Sequence, residues 1–589
     1  MKTNMILSAS GWRKVFAISG DEQDRTTLIG EENIALSIIA AKVFSDYIKN
    51  QTKKENPTVI LGMDSRPTGS AICEACIKSF ISQNIDVHFT GIIAAPEIMA
   101  YSRAADGFMY ISASHNPIGH NGIKFGLSSG GVLNKEENAI LTKDFTDFTE
   151  SENAKEKAFA LIENLSESKI DEVYKNQKKY KSESLASYKS FLEETISGTS
   201  NKQEQKEFFE NLKQKLSQKK LGVVCDFNGS ARSVSVDKEF FENLGINFYA
   251  INDKPQNIVH EIIPEAENLI YVAQEMQNLQ KKGKTDAILG YMPDCDGDRG
   301  NIVYWNEEQK KSNILKAQEV FSLSVLSELL FSIYTKKENS AVCVNCPTSL
   351  RIEEIAQILG AKVFRAEVGE ANVVNLACEK RLQGFNVRIL GEGSNGGTIT
   401  HPSAVRDPIN TIFALIKLLT IEEMYEIWCK KSNHIFEKNY NLDTIFKTLP
   451  KYCTTGVSEK RAILKIKTQN HAELKKRFQN LFNQSWEQKK SELKQKYNIF
   501  SFEGIITNGT KETKNVSDWS LSQKGGLKIQ FYDEKNLPVA FIWMRGSGTE
   551  PVFRILCDVK DFGDEEKTKN EEKSLLEWET ELLTKADNL

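Results

Sequence analysis

The chain has 589 residues, of which 40% are apolar and 26% charged, and its formal net charge is -4. This is an ordinary soluble globular composition with no long-range attraction for nucleic acid or anionic lipid, so a cytoplasmic protein with neither nucleic-acid nor membrane partners is expected, and any phosphate it binds must be held locally. A chain this long needs several cores, about three or four domains of ~100–200 residues each.

The start, Met1-Lys2-Thr3-Asn4-Met5-Ile6-Leu7, lacks the apolar core of a signal peptide, and no uninterrupted apolar run approaches the about 18 residues of a membrane span. The ten cysteines are scattered, and Cys225 and Cys343 sit inside apolar runs, as buried reduced thiols do. Cys73/Cys76 and Cys343/Cys346 have Cys-x-x-Cys spacing but lack the nearby second pair of a structural zinc site.

Along the chain, short β-rich runs alternate with longer amphipathic stretches, the pattern of βαβ units and mixed sheets. Strands are expected at Val59–Met63 and Phe108–Ile111, the second running into Ser112-Ala113-Ser114-His115-Asn116-Pro117. From Asn134 to Lys220 the sequence becomes rich in lysine and glutamate and reads as solvated helices and a linker. Strands follow at Leu221–Cys225 and Ala287–Tyr291, then the loop Asp294-Cys295-Asp296-Gly297-Asp298-Arg299. Next come a strand at Ala341–Val344, a helix at Ser349–Leu359, and a strand at Val387–Leu390 running into Gly391-Glu392-Gly393-Ser394-Asn395-Gly396-Gly397. The spacing predicts a helix over Asn410–Trp428 and exposed, charged helices inserted over Glu473–Tyr497. The end reads as a small α+β domain, with strands at Leu527–Phe531, Val539–Trp543 and Val552–Leu556 around Arg545-Gly546-Ser547-Gly548-Thr549-Glu550-Pro551.

Four polar loops thus follow directly on apolar strands, where open α/β sheets bind ligands. A serine hydroxyl needs a base, a metal or prior phosphorylation to act, and His115 stands beside Ser114. No Gly-x-Ser-x-Gly elbow surrounds that serine, which disfavours a Ser-His-Asp hydrolase. Asp294, Asp296 and Asp298 alternate about Gly297 and can converge on one hard cation. An EF-hand would need glycine and glutamate where Arg299 and Trp305 stand, so Mg²⁺ sharing a phosphate oxygen is the better reading. The Gly391–Gly397 loop imitates a dinucleotide fingerprint, but Glu392 would oppose a pyrophosphate and two prolines follow before any helix. A carboxylate, a hydroxyl and an amide together suit vicinal sugar hydroxyls. In the last loop glycines bare backbone amides, while Arg545 and Arg554 offer planar forks to a phosphate dianion.

In this order the four loops closely resemble those of the α-D-phosphohexomutase family, with further likeness at Ser10-Gly11-Trp12-Arg13, Gly62-Met63-Asp64-Ser65-Arg66-Pro67 and Asn121-Gly122-Ile123-Lys124. The resemblance implies three α/β domains with mixed sheets and a C-terminal α+β domain around a central cleft. Their expected limits are 1–190 with the phosphoserine loop, 191–312 with the magnesium loop, 313–430 with the sugar loop, and 431–589 with the phosphate loop and a helical insertion. It further implies that Ser114 is the phosphorylated serine, sharing Mg²⁺ with Asp294, Asp296 and Asp298. Arg13, His115, Lys124 and Arg299 would line the transfer site. Glu392, Ser394 and Asn395 would meet the sugar, and Arg545, Ser547, Gly548, Thr549 and Arg554 its non-reacting phosphate. The implied enzyme is a Mg²⁺-dependent isomerase, a phosphoglucomutase or phosphomannomutase, moving phosphate between O1 and O6 of a hexose through a hexose 1,6-bisphosphate that also primes it. Phosphoglucosamine mutase, a sugar-phosphate hydrolase and a non-catalytic binding relative are the alternatives, and the chain is expected to be a monomer or homodimer. Two positions depart from the family pattern: Ala371 follows Val368-Gly369-Glu370 where many members have lysine, and Asn395-Gly396 ends the sugar loop where many have histidine.

Overall fold

Thr58–Met63, free of polar side chains after Thr58, is flanked by two parallel strands, Gly107–Ile111 and Asp86–Ile92. The computed structural model describes residues 1, 3–546 and 552–589. Its first sheet has six strands in the spatial order Ile6–Ser8, Gly11–Val15, His120–Leu127, Gly107–Ile111, Thr58–Met63 and Asp86–Ile92. Val59 and Leu61 pack with Phe44, Ile72 and Phe80 from the helices Gly30–Thr52 and Gly69–Ser82, while Ile60 packs oppositely with Ile98 and Tyr101 of Ala95–Tyr101. With both faces covered, a parallel strand reads as a continuous apolar run rather than as alternation.

Three more sheets follow in chain order. The second orders its strands Lys311–Ile314, Gly300–Asn306, Ala287–Pro293, Gly222–Asp226 and Asn247–Ile251. The third orders Lys362–Ala366, Ser340–Asn345, Asn386–Glu392 and Gly397–Thr400. The fourth is antiparallel throughout and centres on Gly526–Tyr532, Pro538–Gly546 and Val552–Lys560. Every expected strand is present, Leu221–Cys225 shifted by one residue to Gly222–Asp226 and the others extended by a residue or more, and three α/β sheets followed by an antiparallel sheet with helices make the α/β fold class expected.

The chain divides into two compact units, Met1–Ile314 with Pro402–Ile412, and Leu315–His401 with Phe413–Leu589. Residue 312, an expected domain limit, lies inside the strand Lys311–Ile314, and residue 430 lies inside the helix Glu422–Ser432.

Three expectations need correction. The stretch 134–220 is helical, but it is not a linker: Glu167–Ser197 buries Tyr180, Tyr188, Leu192 and Ile196, and the Tyr180 ring stacks on His88 at 3.9 Å. The stretch 473–497 is one helix, His471–Tyr497, and its inner side is core rather than exposed. Leu474, Phe478, Phe482 and Trp486 recur every fourth residue and pack with Trp519, Phe531 and Trp578. Each such side chain contributes about 1.5–3 kcal/mol when buried, far more than the charged outer face supplies. The helix expected over Asn410–Trp428 is two, Pro408–Thr420 and Glu422–Ser432, because Ile421 leaves helical geometry at φ -96°, ψ 86°.

Among the described residues no helix is long and apolar enough to cross a membrane. The ten cysteines are all free thiols, and neither Cys-x-x-Cys pair belongs to a metal-holding group among the described residues.

Candidate active site

In the first unit, the turn after Gly107–Ile111 holds Ser114 in the left-handed region, at φ +54°. The Ser112 hydroxyl explains part of that turn: it accepts from Ser114 N at 2.9 Å and donates to Asp296 Oδ2 at 3.1 Å. Ser114 is 3% exposed, and its Oγ donates to Asp294 Oδ2 at 2.9 Å.

The partner loop follows Ala287–Pro293 and turns at Gly297, φ +74°, where an added Cβ would sit 2.3 Å from Arg232 Cγ. Its three aspartates are buried, each offering an oxygen within 4.8 Å of the others. Two carboxylate oxygens of the triad, Asp296 Oδ1 and Asp298 Oδ1, have no hydrogen-bond partner among the described residues. Partnerless buried carboxylate oxygens are costly by themselves and fit a hard divalent cation such as Mg²⁺.

Cations surround the triad. Lys124 Nζ donates to Asp296 Oδ2 at 2.7 Å, and Arg299 N donates to Asp294 Oδ1 at 3.1 Å. Arg13, whose Nη2 donates to Ser10 O, lies within electrostatic reach of Asp296, Arg299 and Asp298; its Nε and that of Arg299 are buried without partners among the described residues. Burial pushes Asp294 well above the usual carboxylate range, with Asp296 and Asp298 adding to the shift. Burial opposes ionisation of Asp296 as well, but Lys124 outweighs it and holds that group below the usual range. His115 Nδ1 is 3.4 Å from Ser114 Oγ, and the imidazole is pushed down to about 2 by Arg299, by burial and by Arg13 and Arg406, so it is neutral at pH 7. The structure therefore brings together Ser114, His115, Arg13, Lys124, Arg299 and the aspartate triad.

The second unit carries the other loops. Glu392, at the end of Asn386–Glu392, accepts from Asn345 Nδ2 at 3.1 Å and Gly369 N at 2.8 Å on Oε1, and from Asn395 Nδ2 at 3.0 Å on Oε2. Asn345 Nδ2 also donates to Ser394 Oγ at 3.0 Å, which gathers Glu392 and Ser394 around one amide, with Asn395 joined to them through Glu392. Arg545 and Arg554 are opposed across Pro538–Gly546 and Val552–Lys560, so they share a sheet face. Arg545 Nε is 2.9 Å from Glu367 Oε1, whereas Arg554 Nη1 donates to Val457 O at 3.0 Å. Ser547, Gly548 and Thr549 lie outside the described residues.

Sequence reasoning missed several residues. Arg406 Nη2 donates to Asp298 Oδ2 at 2.6 Å, and Arg232 Nη1 to Gly297 O at 3.2 Å. Asn345 and Glu367 support the second-unit loops. Their only local signal is position at a strand end, shared with many residues that do nothing of the kind.

Two family models match the chain: phosphoglucomutase/phosphomannomutase alpha/beta/alpha domain I over residues 19–152 and domain III over residues 322–433. A phosphoglucosamine mutase of Thermodesulfovibrio yellowstonii is 28% identical over 341 residues, 56% of this chain and 63% of that protein. A phosphoglucomutase/phosphomannomutase of Thermococcus kodakarensis is 23% identical over 537 residues, 89% of this chain and 90% of that one. Among solved structures, the Paramecium exocytosis-sensitive phosphoprotein pp63/parafusin superposes with TM-score 0.63 at 15% identity, covering 100% of this chain and 96% of its own. A phosphoglucomutase/phosphomannomutase family protein of Burkholderia thailandensis gives 0.60 at 15% identity, covering 98% of each chain.

Proposed function

Because the chain belongs to the α-D-phosphohexomutase family, we propose that it interconverts hexose 1-phosphate and hexose 6-phosphate by carrying a phosphoryl group on Ser114. The observation that carries this reading is the hydrogen bond from Ser114 Oγ to Asp294 Oδ2, made across 180 residues into a buried aspartate triad. A serine so placed suits phosphoryl chemistry rather than acyl transfer, since the imidazole 3.4 Å from it is pushed down to about 2 by Arg299, burial and Arg13 and is too weak a base for a hydrolase triad.

Asp294, Asp296 and Asp298, with an oxygen on Ser114, would hold Mg²⁺, which supplies positive charge beside the transferring group. In the first transfer the bond between Ser114 Oγ and phosphorus breaks as a sugar hydroxyl oxygen bonds to phosphorus, giving a hexose 1,6-bisphosphate and free Ser114. The proton of the sugar hydroxyl ends on Ser114 Oγ, the departing oxygen, which neutral His115 would orient by hydrogen bond from its Nδ1 at 3.4 Å. Arg13, Lys124 and Arg299 would neutralise the charge spread over the phosphoryl oxygens. Glu392, Ser394 and Asn395 would hold sugar hydroxyls, and Arg545, Arg554 and the Ser547–Thr549 segment the non-reacting phosphate. After the bisphosphate turns end for end, the reverse step restores phosphorylated Ser114. Loss of the histidine and lysine found in many relatives, at Asn395-Gly396 and Ala371, bears on which sugar is preferred.

The test is a panel of glucose, mannose and glucosamine 1-phosphates assayed with Mg²⁺ and a hexose 1,6-bisphosphate primer. Formation of a 6-phosphate without free phosphate is expected. Stoichiometric release of inorganic phosphate would favour a hydrolase, and no conversion of any sugar by protein phosphorylated on Ser114 would end the mutase reading.

A further inference from the structure

Arg66, in the turn that follows Thr58–Met63, has no exposed surface, yet its guanidinium is spent almost entirely on the backbone of another loop. Nη2 donates to Ser114 O at 2.5 Å and Asn116 O at 2.7 Å, and Nη1 donates to Pro117 O at 2.7 Å. Asp64 fixes the fork from behind, its Oδ2 accepting from Nε at 3.2 Å and its Oδ1 from Arg66 N at 2.9 Å. Three carbonyls of one short loop converge on this cation, an arrangement in which their dipoles would repel one another without a buried positive charge.

The loop has reason to need it. Ser114 is held at φ +54°, a conformation that costs a residue with a Cβ about 1–2 kcal/mol. Were the peptide to relax to negative φ, the Ser114 carbonyl would leave Arg66 and the side chain would swing away from Asp294. Only an arginine presents enough donors in one rigid plane to hold Ser114 O, Asn116 O and Pro117 O together; a lysine offers a point charge on a flexible stem.

We propose that Arg66 is the positioning residue that locks Ser114 in its left-handed conformation and thereby aims Oγ at the reacting phosphoryl group. The second half of this statement rests on Ser114 being the phosphate carrier; the first half does not. Arg66 donates to no side chain of the aspartate triad, only to Asp64 and to backbone carbonyls, so its removal acts on the geometry of transfer rather than on sugar binding.

The experiment is Arg66→Lys, characterised by kinetics and by a crystal structure. The expected result is a kcat lower by about 100-fold, the order expected for a reacting group displaced by an ångström, with KM for the hexose phosphate within about twofold of the parent. In the crystal, Ser114 should leave positive φ. A variant with parental kcat, a KM that rises as far as kcat falls, or a Ser114 that stays left-handed would overturn the proposal. Should Arg66→Lys fail to fold, Asp64→Asn removes only the charge that orients the fork, and it should lower kcat by about tenfold at unchanged KM; parental kcat there overturns the proposal equally. The φ of Ser114 is read without any turnover, so an inactive parent protein would sink the mutase reading and leave this one standing or falling by the crystal structure.

Discussion

Arg406 donates to Asp298 Oδ2 at 2.6 Å across 108 residues, because Pro402–Ile412 packs with the first unit rather than with the sheet it follows. It adds a cation to a site where Arg13 and His115 already feel it. Arg406→Gln should lower kcat by about 10²-fold, the cost of one charge-stabilising donor, while the Mg²⁺ concentration for half-maximal rate stays level or falls, since a competitor for Asp298 has been removed. Rate measurements over a Mg²⁺ titration check this. A much weaker Mg²⁺ response would show instead that Arg406 orders Asp298 for the metal.

Gly297 carries a second expectation. Alanine at φ +74° brings about 1–2 kcal/mol of strain, and its Cβ would meet Arg232 Cγ at 2.3 Å, in a side chain locked by Asp237 and Tyr188. Gly297→Ala should therefore raise the Mg²⁺ requirement by roughly tenfold, the factor that corresponds to ~1.4 kcal/mol. Gly245→Ala is the control: φ is +79° but nothing lies within 4 Å of the new Cβ, so the Mg²⁺ response should not move.

Ser114→Ala should reduce turnover by at least about 10⁴-fold, as removal of a covalent carrier does. Binding of a hexose phosphate, followed by calorimetry, should persist, because Glu392, Ser394 and Arg545 belong to the other unit and keep their partners. Near-parental turnover would mean that another residue carries the phosphate.

The loops were legible because their signals are local: an apolar run ending in Ser112–Pro117, Asp294–Arg299 or Gly391–Gly397 needs only a few residues to declare itself. What joins them was not. No sequence interval links Arg406 to Asp298, and nothing near Arg66 announces that its donors end on Ser114 O. The buried arginines follow one physical pattern: Arg66 takes up carbonyls of the Ser112–Pro117 loop, Arg232 that of Gly297, and Arg365 those of Asn345, Cys346 and Thr348 beside the Gly391–Gly397 loop. A functional loop that turns its amides or side chains toward a ligand leaves carbonyls facing inward, and a fully buried arginine is a way to satisfy several at once. Helix His471–Tyr497 misled for the converse reason: its charges outnumber its apolar residues, but the four-residue spacing of Leu474, Phe478, Phe482 and Trp486 decides where it sits.

The same core supplies the last prediction. Glu579, on the C-terminal helix Glu565–Asp587, is fully buried, and both of its carboxyl oxygens lack partners among the described residues. Burial pushes it well above the carboxylate range, and pushes Glu571 on the same helix up to about 8. Both folded-state values exceed the unfolded ones, so the folded chain keeps protons that the unfolded chain releases. The stability linked to them is complete below about pH 4.5 and is lost as pH rises, through about 8 for Glu571. Glu579→Met fills the same space without a group to ionise or leave unsatisfied, and should stabilise this part of the chain by on the order of 1–3 kcal/mol, more at pH 8 than at pH 5. Urea unfolding followed by tryptophan emission reads the effect, since Trp486, Trp519 and Trp578 share the core. An equal loss of stability at both pH values would show that the Glu579 carboxyl has a stabilising partner and that its burial is not a cost.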